Sequence, residues 1–260
     1  MVALRFMRRI LLLALHVLLG LLLTPLLVKR HGNGAWRTNP YVTSWWHNRL
    51  ADILGVQVSV AGHRPVTPAL LASNHVSWLD IVVLGGLTHT DFLSKHEVRR
   101  WPVIGWLAAR SGTLFIRRGN GEAAVVSAQI GERLRDEGLL TLFPEGTTTD
   151  GRSVRPFFSR LFSAALDTGT DVVPVALRYH INGEHDPVAP YTDERSLGEN
   201  LRGLLARERT QVHVIFGEPI TLRDHTRKQV AELARTAILD ALQARADTLL
   251  THDAPLPAGS

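Results

Sequence analysis

Pro68-Ala69-Leu70-Leu71-Ala72-Ser73-Asn74-His75-Val76-Ser77-Trp78-Leu79-Asp80-Ile81-Val82-Val83-Leu84 is an apolar run, a short polar interruption and a second apolar run. The first run reads as a buried strand, Ala69–Ser73, and the second as a helix, Trp78–Leu87. A strand passing directly into a helix predicts an α/β layer structure. It also places one histidine and one carboxylate at the rim of a core, where chemistry is commonly done.

The flanking sequence repeats this texture. Strands are expected at Val56–Val60, Asp91–Ser94, Thr113–Ile116, Leu139–Phe143, Val172–Leu177 and Gln211–Phe216. Helices are expected at Val103–Ala109, Ala123–Glu137, Phe158–Leu166 and Arg227–Leu249, with a helical turn at His96–Arg100. This order implies a mixed, largely parallel sheet flanked by helices. His180–Asn200 is polar, holds two prolines and reads as loop. The domain division that follows is 1–55 for N-terminal membrane-associated helices, 56–250 for the α/β domain and 251–260 for a frayed tail.

The membrane assignment rests on Ile10 to Val28, almost unbroken leucine, valine and alanine. About 19 helical residues at roughly 1.5 Å each reach about 28 Å, close to the hydrocarbon thickness of a bilayer. A signal peptide would need a small-residue cleavage site, but Lys29-Arg30-His31 follows instead. Basic residues flank both ends, so charge gives no orientation, and Gly20 and Pro25 leave spanning and re-entrant paths open. Pro40–Leu54 reads as a second helix; Trp36, Tyr41, Trp45 and Trp46 suit either a membrane–water boundary or an ordinary packed face.

Composition narrows the chemistry. The chain has 260 residues, no cysteine and a formal charge of +5. Disulfides, thiolate metal sites and a cysteine nucleophile are excluded. The basic balance favours phosphorylated ligands or an anionic membrane, and no nucleic-acid-binding signature is present.

His75 and Asp80 are five residues apart, about 140° around a helix axis, so they meet only if His75 lies in the turn before the helix. In that arrangement the carboxylate fixes one imidazole nitrogen and leaves the other as a base. Spacing equally allows a capping box, with Ser77 as the cap and Asp80 at the third helical position. Ser77 as a nucleophile lacks the G-x-S-x-G elbow, and the neighbouring histidines have no metal-ligand spacing. Two further stretches can meet an anion: the loop Phe143-Pro144-Glu145-Gly146-Thr147 after a buried strand, and Arg117-Arg118 at a strand end. Each can equally be a plain turn or solvated charge.

Together these stretches resemble the glycerolipid acyltransferases. Asn74-His75-Val76-Ser77-Trp78-Leu79-Asp80 matches their NHxSxxD motif. Gly112–Arg118, Phe143–Thr147 and Val172–Ala176 resemble their second, third and fourth motifs, in the family's order. The chain is similar to bacterial lysophospholipid acyltransferases of the 1-acylglycerol-3-phosphate (PlsC-like) type. The resemblance implies acyl transfer from acyl-CoA or acyl-ACP, with no bound cofactor or metal, to the sn-2 hydroxyl of 1-acylglycerol-3-phosphate. It implies His75 as base and Asp80 as its orienting group, with Asn74, Ser77, Arg118, Glu145, Gly146 and Thr147 around the substrates. Val103–Ala109 is a candidate to line an acyl groove, and ordinary core packing suits it equally. The implied location is the bacterial inner membrane, with the site on the cytoplasmic face. Arg117 stands where many members carry an acid, and Thr148 where Arg or Lys is frequent; both bear on the acceptor head group. Another lysolipid, such as lyso-ornithine lipid, is the alternative acceptor. Thioester hydrolysis and non-catalytic lipid binding are the alternative activities.

Overall fold

The computed structural model describes residues 2–30, 36–65, 68–117, 123–136, 138–192 and 194–244. The expected tail, 251–260, and the last turns of the expected C-terminal helix lie outside these. In chain order the elements are α1 (Val2–Leu27), β1 (Lys29–Arg30), β2 (Trp36–Arg37), α2 (Pro40–Leu54), β3 (Val56–Ala61) and β4 (Ala69–Ser73). Then come α3 (Leu79–Leu87), β5 (Thr90–Lys95), a 3-10 turn (His96–Arg100), α4 (Ile104–Arg110), β6 (Leu114–Ile116), α5 (Ala123–Arg135) and β7 (Leu139–Leu142). A second 3-10 turn (Ser159–Phe162) leads to α6 (Ser163–Thr168), β8 (Val172–Ile181), β9 (Glu184–His185), α7 (Leu197–Ala206), β10 (Thr210–Phe216) and α8 (Arg227–Gln243).

The main sheet runs β3-β10-β8-β4-β7-β5-β6, with β9 paired to β8. From β8 to β6 every pairing is parallel; β10 pairs antiparallel with β8 and parallel with β3. This is the mixed, largely parallel sheet expected. Alternation along the central strands feeds two cores. Leu71, Val173, Val175, Leu177 and Val214 face α2, α3 and α7. Leu70, Ala72, Leu140 and Leu142 face α5, α6 and α8. β4, buried along its whole length, lies at the middle, so its C-terminal end opens onto the centre of the sheet.

The polar segment His180–Asn200 is not loop throughout. β8 continues to Ile181, β9 turns back on it, and α7 begins at Leu197. Two prolines hid a helix start that is nonetheless written in the sequence. Ser196 accepts from the Glu199 N–H while the Glu199 carboxylate accepts from the Ser196 N–H, a complete capping box. Phe158–Leu166, expected as one helix, is the second 3-10 turn followed by α6.

α1 starts at Val2 and carries Pro25 inside it. Leu4, Leu11, Leu15, Leu18, Leu22 and Leu26, spaced along one helical face, are at least half exposed. The opposite face docks on the domain. Arg5 donates to the carbonyl of Ala206, and Arg9 to those of Arg207 (2.7 Å) and Glu208 (2.9 Å), so two α1 arginines satisfy orphan carbonyls at the end of α7. His16 stacks on Trp46 of α2 with ring centroids 4.4 Å apart. Beyond Leu27, β1 pairs with β2, and Arg37 of β2 forms an ion pair with Asp91 of β5, which Arg133 of α5 also approaches at 3.0 Å. The helix therefore returns to the domain at both ends. Of these aromatic residues Tyr41 and Trp45 are exposed, whereas Trp46 packs inward. The side chain of Trp36 lies outside the described residues.

Candidate active site

His75 sits in the connection between β4 and α3, and Asp80 in the first turn of α3. His75 Nδ1 lies 2.7 Å from Asp80 Oδ2. The same oxygen accepts the backbone N–H groups of Val76 (2.7 Å) and Ser77 (3.0 Å). Tyr179 of β8 donates its hydroxyl to Asp80 Oδ1 at 2.8 Å. Asp80 is fully buried and four donors converge on it. An acceptor so surrounded takes the Nδ1 proton of a neutral imidazole as a donor, which leaves the lone pair on Nε2. The His75 side chain is 18% exposed, so the ring edge reaches solvent. Burial, then the neighbouring Asp80 charge, hold the Tyr179 phenol well above its ordinary value; it stays a donor.

The backbone around His75 is fully accounted for. Its N–H donates to Glu145 Oε1 (2.8 Å), and its carbonyl accepts from the Thr149 N–H (2.8 Å). The Val76 carbonyl accepts from the Tyr191 N–H, and the Ser77 carbonyl from the Asp80 N–H. Three separate segments thus fix one short turn, which is what a reacting ring needs for constant aim. Phe143 stacks on the imidazole, centroids 4.0 Å apart and planes 16° apart. Behind it Phe92, His47, Trp46 and His16 continue a row of ring contacts as far as α1.

The other expected ligand groups are used differently. Asn74 is buried and gives both ends of its amide to the backbone of Leu177, accepting at 2.8 Å and donating at 3.0 Å. It replaces the rung that β4 would have made to β8 one residue beyond Ser73. Ser77 is fully buried and its hydroxyl caps nothing; only the Asp80 half of the expected capping box forms, and Asp80 is the second helical residue rather than the third. Glu145 is buried, with one oxygen on the His75 N–H and the other on the Arg155 N–H (2.8 Å). Burial pushes its carboxyl upward while those two N–H groups pull it back. Through these two bonds it braces the turn. Gly146 takes φ 71° and closes a turn onto Phe143, as a residue without Cβ does readily. Thr147 is half-buried in that loop. Arg118 lies outside the described residues; Arg117 is exposed, with a guanidinium nitrogen 3.2 Å from His96 Nε2. Among the described residues no three His, Asp or Glu side chains gather where a cation could be held.

Sequence reasoning missed Tyr179 and the wall made by residues 186–191. The Tyr191 carbonyl accepts from the Thr148 hydroxyl, and Asn200 of α7 ties the Trp78 indole (2.8 Å) to the carbonyls of Val188 and Pro190. Buried Asp186 folds this wall by accepting from the Val188 and Ala189 N–H groups and from Arg207 (2.6 Å). Next to Asn200, Leu201 begins an open apolar groove of about 630 Å³ between α7 and α1, floored by Leu13, Val17 and Leu21. α4, for which groove lining and ordinary packing were both open, packs against α1 at Gly20, through Leu107.

Residues 55–178 match the family model described as Acyltransferase. A lyso-ornithine lipid O-acyltransferase of Pseudomonas aeruginosa is 44% identical over 77% of this chain and 78% of its own length. Its namesake in Rhodobacter capsulatus is 34% identical over 90% of this chain and 85% of its own. A 1-acyl-sn-glycerol-3-phosphate acyltransferase of Neisseria gonorrhoeae is 34% identical over 49% of this chain and 50% of its own. The crystal structure of the 1-acyl-sn-glycerophosphate acyltransferase PlsC from Thermotoga maritima superposes with a TM-score of 0.59, covering 79% of this chain and 80% of that one. At 20% identity that likeness speaks for the fold alone. By motif, fold and relatives alike, the chain belongs to the acyltransferase family and is a PlsC-like O-acyltransferase of the glycerolipid group.

Proposed function

We propose that this enzyme moves a fatty acyl group from acyl-CoA or acyl-ACP to the hydroxyl of lyso-ornithine lipid at a membrane surface. The observation that carries the chemistry is the His75–Asp80 contact at 2.7 Å, with Nε2 left open on the solvent side. The acceptor hydroxyl attacks the thioester carbonyl while His75 Nε2 takes its proton. The tetrahedral intermediate then expels the thiolate, which regains a proton from the imidazolium. Asp80 holds the ring and balances the transient positive charge. General base catalysis of this kind contributes on the order of 10² to 10⁴-fold. No acyl-enzyme is formed; Ser77 is too deeply buried to act as a nucleophile. The groove between α1 and α7 is our candidate for an acyl chain, because it starts beside the Trp78–Asn200 contact.

The acceptor assignment rests on coverage. The relatives named for lyso-ornithine lipid align over 77% and 90% of this chain, the 1-acyl-sn-glycerol-3-phosphate relative over 49%. Arg117 adds a cation that suits an ornithine carboxylate. The second reading keeps 1-acylglycerol-3-phosphate as acceptor, supported by that same relative. We place the enzyme on the cytoplasmic face of a bacterial inner membrane, where thioester donors are made, held there by α1. The test is a transfer assay with both donors and a panel of lysolipids, run beside His75→Ala. Faster turnover of 1-acylglycerol-3-phosphate than of lyso-ornithine lipid would reverse the acceptor order. Unimpaired transfer by His75→Ala would sink the proposed mechanism.

A further inference from the structure

The corner Trp101–Trp106 is rich in exposed apolar surface. Trp101, Val103, Ile104 and Trp106 are each more than a third exposed. Val103 adopts φ 64° and ψ −62°, and the Ile104 N–H reaches the Pro102 carbonyl at 2.7 Å. That is a γ-turn, a strained state for a β-branched residue, and it separates the 3-10 turn from α4. Gly105 fits beneath: a Cβ there would lie 2.4 Å from the Arg99 carbonyl. The backbone is thus folded tightly inward, while four large apolar side chains remain outside.

Two observations indicate what covers them. The first is position. α4 packs on α1 at Gly20, near the midpoint of the apolar run, through Leu107. Leu18 and Leu22, on the opposite face of α1 but at the same height along it, are at least half exposed. Whatever depth the middle of α1 takes in a bilayer, α4 shares it. The second is charge. Lys95, Arg99 and Arg100 are exposed immediately before the corner, with a single acid, Glu97, among them. An apolar tip bearing tryptophans, flanked by cations, matches the interfacial zone of an anionic leaflet.

We propose that Trp101–Trp106 is a second membrane-inserting element, which enters the same leaflet as α1 and fixes the tilt of the domain on the bilayer. α1 alone is one line of contact and leaves the domain free to roll about it; a second contact removes that freedom and holds the β4–α3 turn at a constant height above the lipid. This inference rests on the reading of α1 as the membrane anchor.

The chain lacks cysteine, so single probes can be introduced without removing any native thiol. Full-length Leu22→Cys, Ile104→Cys and Leu233→Cys variants are labelled with a polarity-sensitive fluorophore and mixed with vesicles of phosphatidylglycerol and phosphatidylethanolamine carrying brominated chains. Leu233 is an exposed apolar residue on α8, across the sheet, and serves as control. Positions 22 and 104 are expected to blue-shift and lose at least half their emission, with 233 unchanged. Quenching at 22 but not 104 would overturn the second element and leave the anchor standing. Quenching at neither would remove the anchor reading and this inference with it. Quenching at 233 as strong as at 104 would overturn the proposed orientation. Replacing Arg99 and Arg100 by Gln is expected to weaken binding to these vesicles about fivefold per cation removed, and less at high salt.

Discussion

Two of the three histidines along one row of rings, His75 and His47, meet opposite fates. His75 stacks on Phe143, Phe143 on Phe92, and Phe92 meets His47 edge-on at 6.3 Å. Both histidines are thus packed in aromatic surroundings beside α3. His47 is half-buried where α2 crosses α3, with its Nδ1 shut from solvent, and burial pushes it down to about 4. His75 keeps one edge in solvent and sets its other nitrogen against a carboxylate that Tyr179 and two backbone N–H groups also hold. The difference teaches that ring packing does not make a histidine a base. A fixed acceptor on one nitrogen and an open approach to the other do.

The largest expected effect follows from that difference. His75→Ala should lower kcat by about 10² to 10⁴-fold. The fold should survive, with a stability cost made of the lost Phe143 stacking, about 1 kcal/mol, and the lost bond to the Asp80 carboxylate, about 1.5 kcal/mol. His47→Leu should do the reverse, keeping most of the transfer rate and changing how stability depends on pH. The sign follows from linkage. Between about pH 6.5 and pH 4 the unfolded chain protonates this histidine and the folded chain does not, so the folded state loses stability as pH falls through that window. The slope from this one group is at most about 1.4 kcal/mol per pH unit, and it vanishes below pH 4, where both states are protonated. Denaturant titrations at several pH values should show that slope in the native chain and its loss in His47→Leu. Equal slopes in the two proteins would mean that His47 is not kept neutral, and the contrast with His75 would fail.

Next in size is the seam that holds His47. Gly85 and Gly86 of α3 lie against His47 and Asn48 of α2, and a Cβ at Gly85 would sit 2.3 Å from His47 Nδ1. Gly85→Ala should therefore destabilise the fold by about 2 to 3 kcal/mol through overpacking, read as a lower Tm. It should leave kcat of the folded fraction near the native value, since the β4–α3 turn is braced from other segments.

The same contrast explains what could be read from the sequence. His75 and Asp80 are five residues apart, and the strand, the turn and the helix around them have local apolar patterns, so their meeting was an explicit geometric condition. Tyr179 lies 99 residues from Asp80 and two beyond the expected end of β8, so no local pattern joined it to the site. Asn74 and Glu145 were expected around the substrates because they are polar and stand in motifs. Their partners within the fold are the backbone of Leu177 and the N–H groups of His75 and Arg155, 103, 70 and 10 residues away. Composition gives the number of hydrogen-bonding groups near a site, but only the fold decides which of them the backbone consumes. The Arg37–Asp91–Arg133 cluster was invisible for the same reason: its members come from three elements.

Tyr179 gives the smallest and most discriminating test. Its hydroxyl is one of four donors on Asp80, and the only one on Oδ1 among the described contacts. Tyr179→Phe preserves the ring and its place in the core, and strands one side of a buried carboxylate. The cost in stability should be about 1.5 kcal/mol, the scale of a hydrogen bond to a charged group. The loss in kcat should be about three- to tenfold with KM nearly unchanged, because Tyr179 positions Asp80 and is not placed to touch substrate. Activity loss alone would not separate positioning from a loosened fold, but a double-mutant comparison does. If Tyr179 acts through the His75–Asp80 pair, Tyr179→Phe should reduce residual transfer no further once His75 is already Ala. Multiplying losses in the double variant would place Tyr179 outside the pair's action. The stability cost should persist in both backgrounds, because the bond to Oδ1 is made whether or not the imidazole is present.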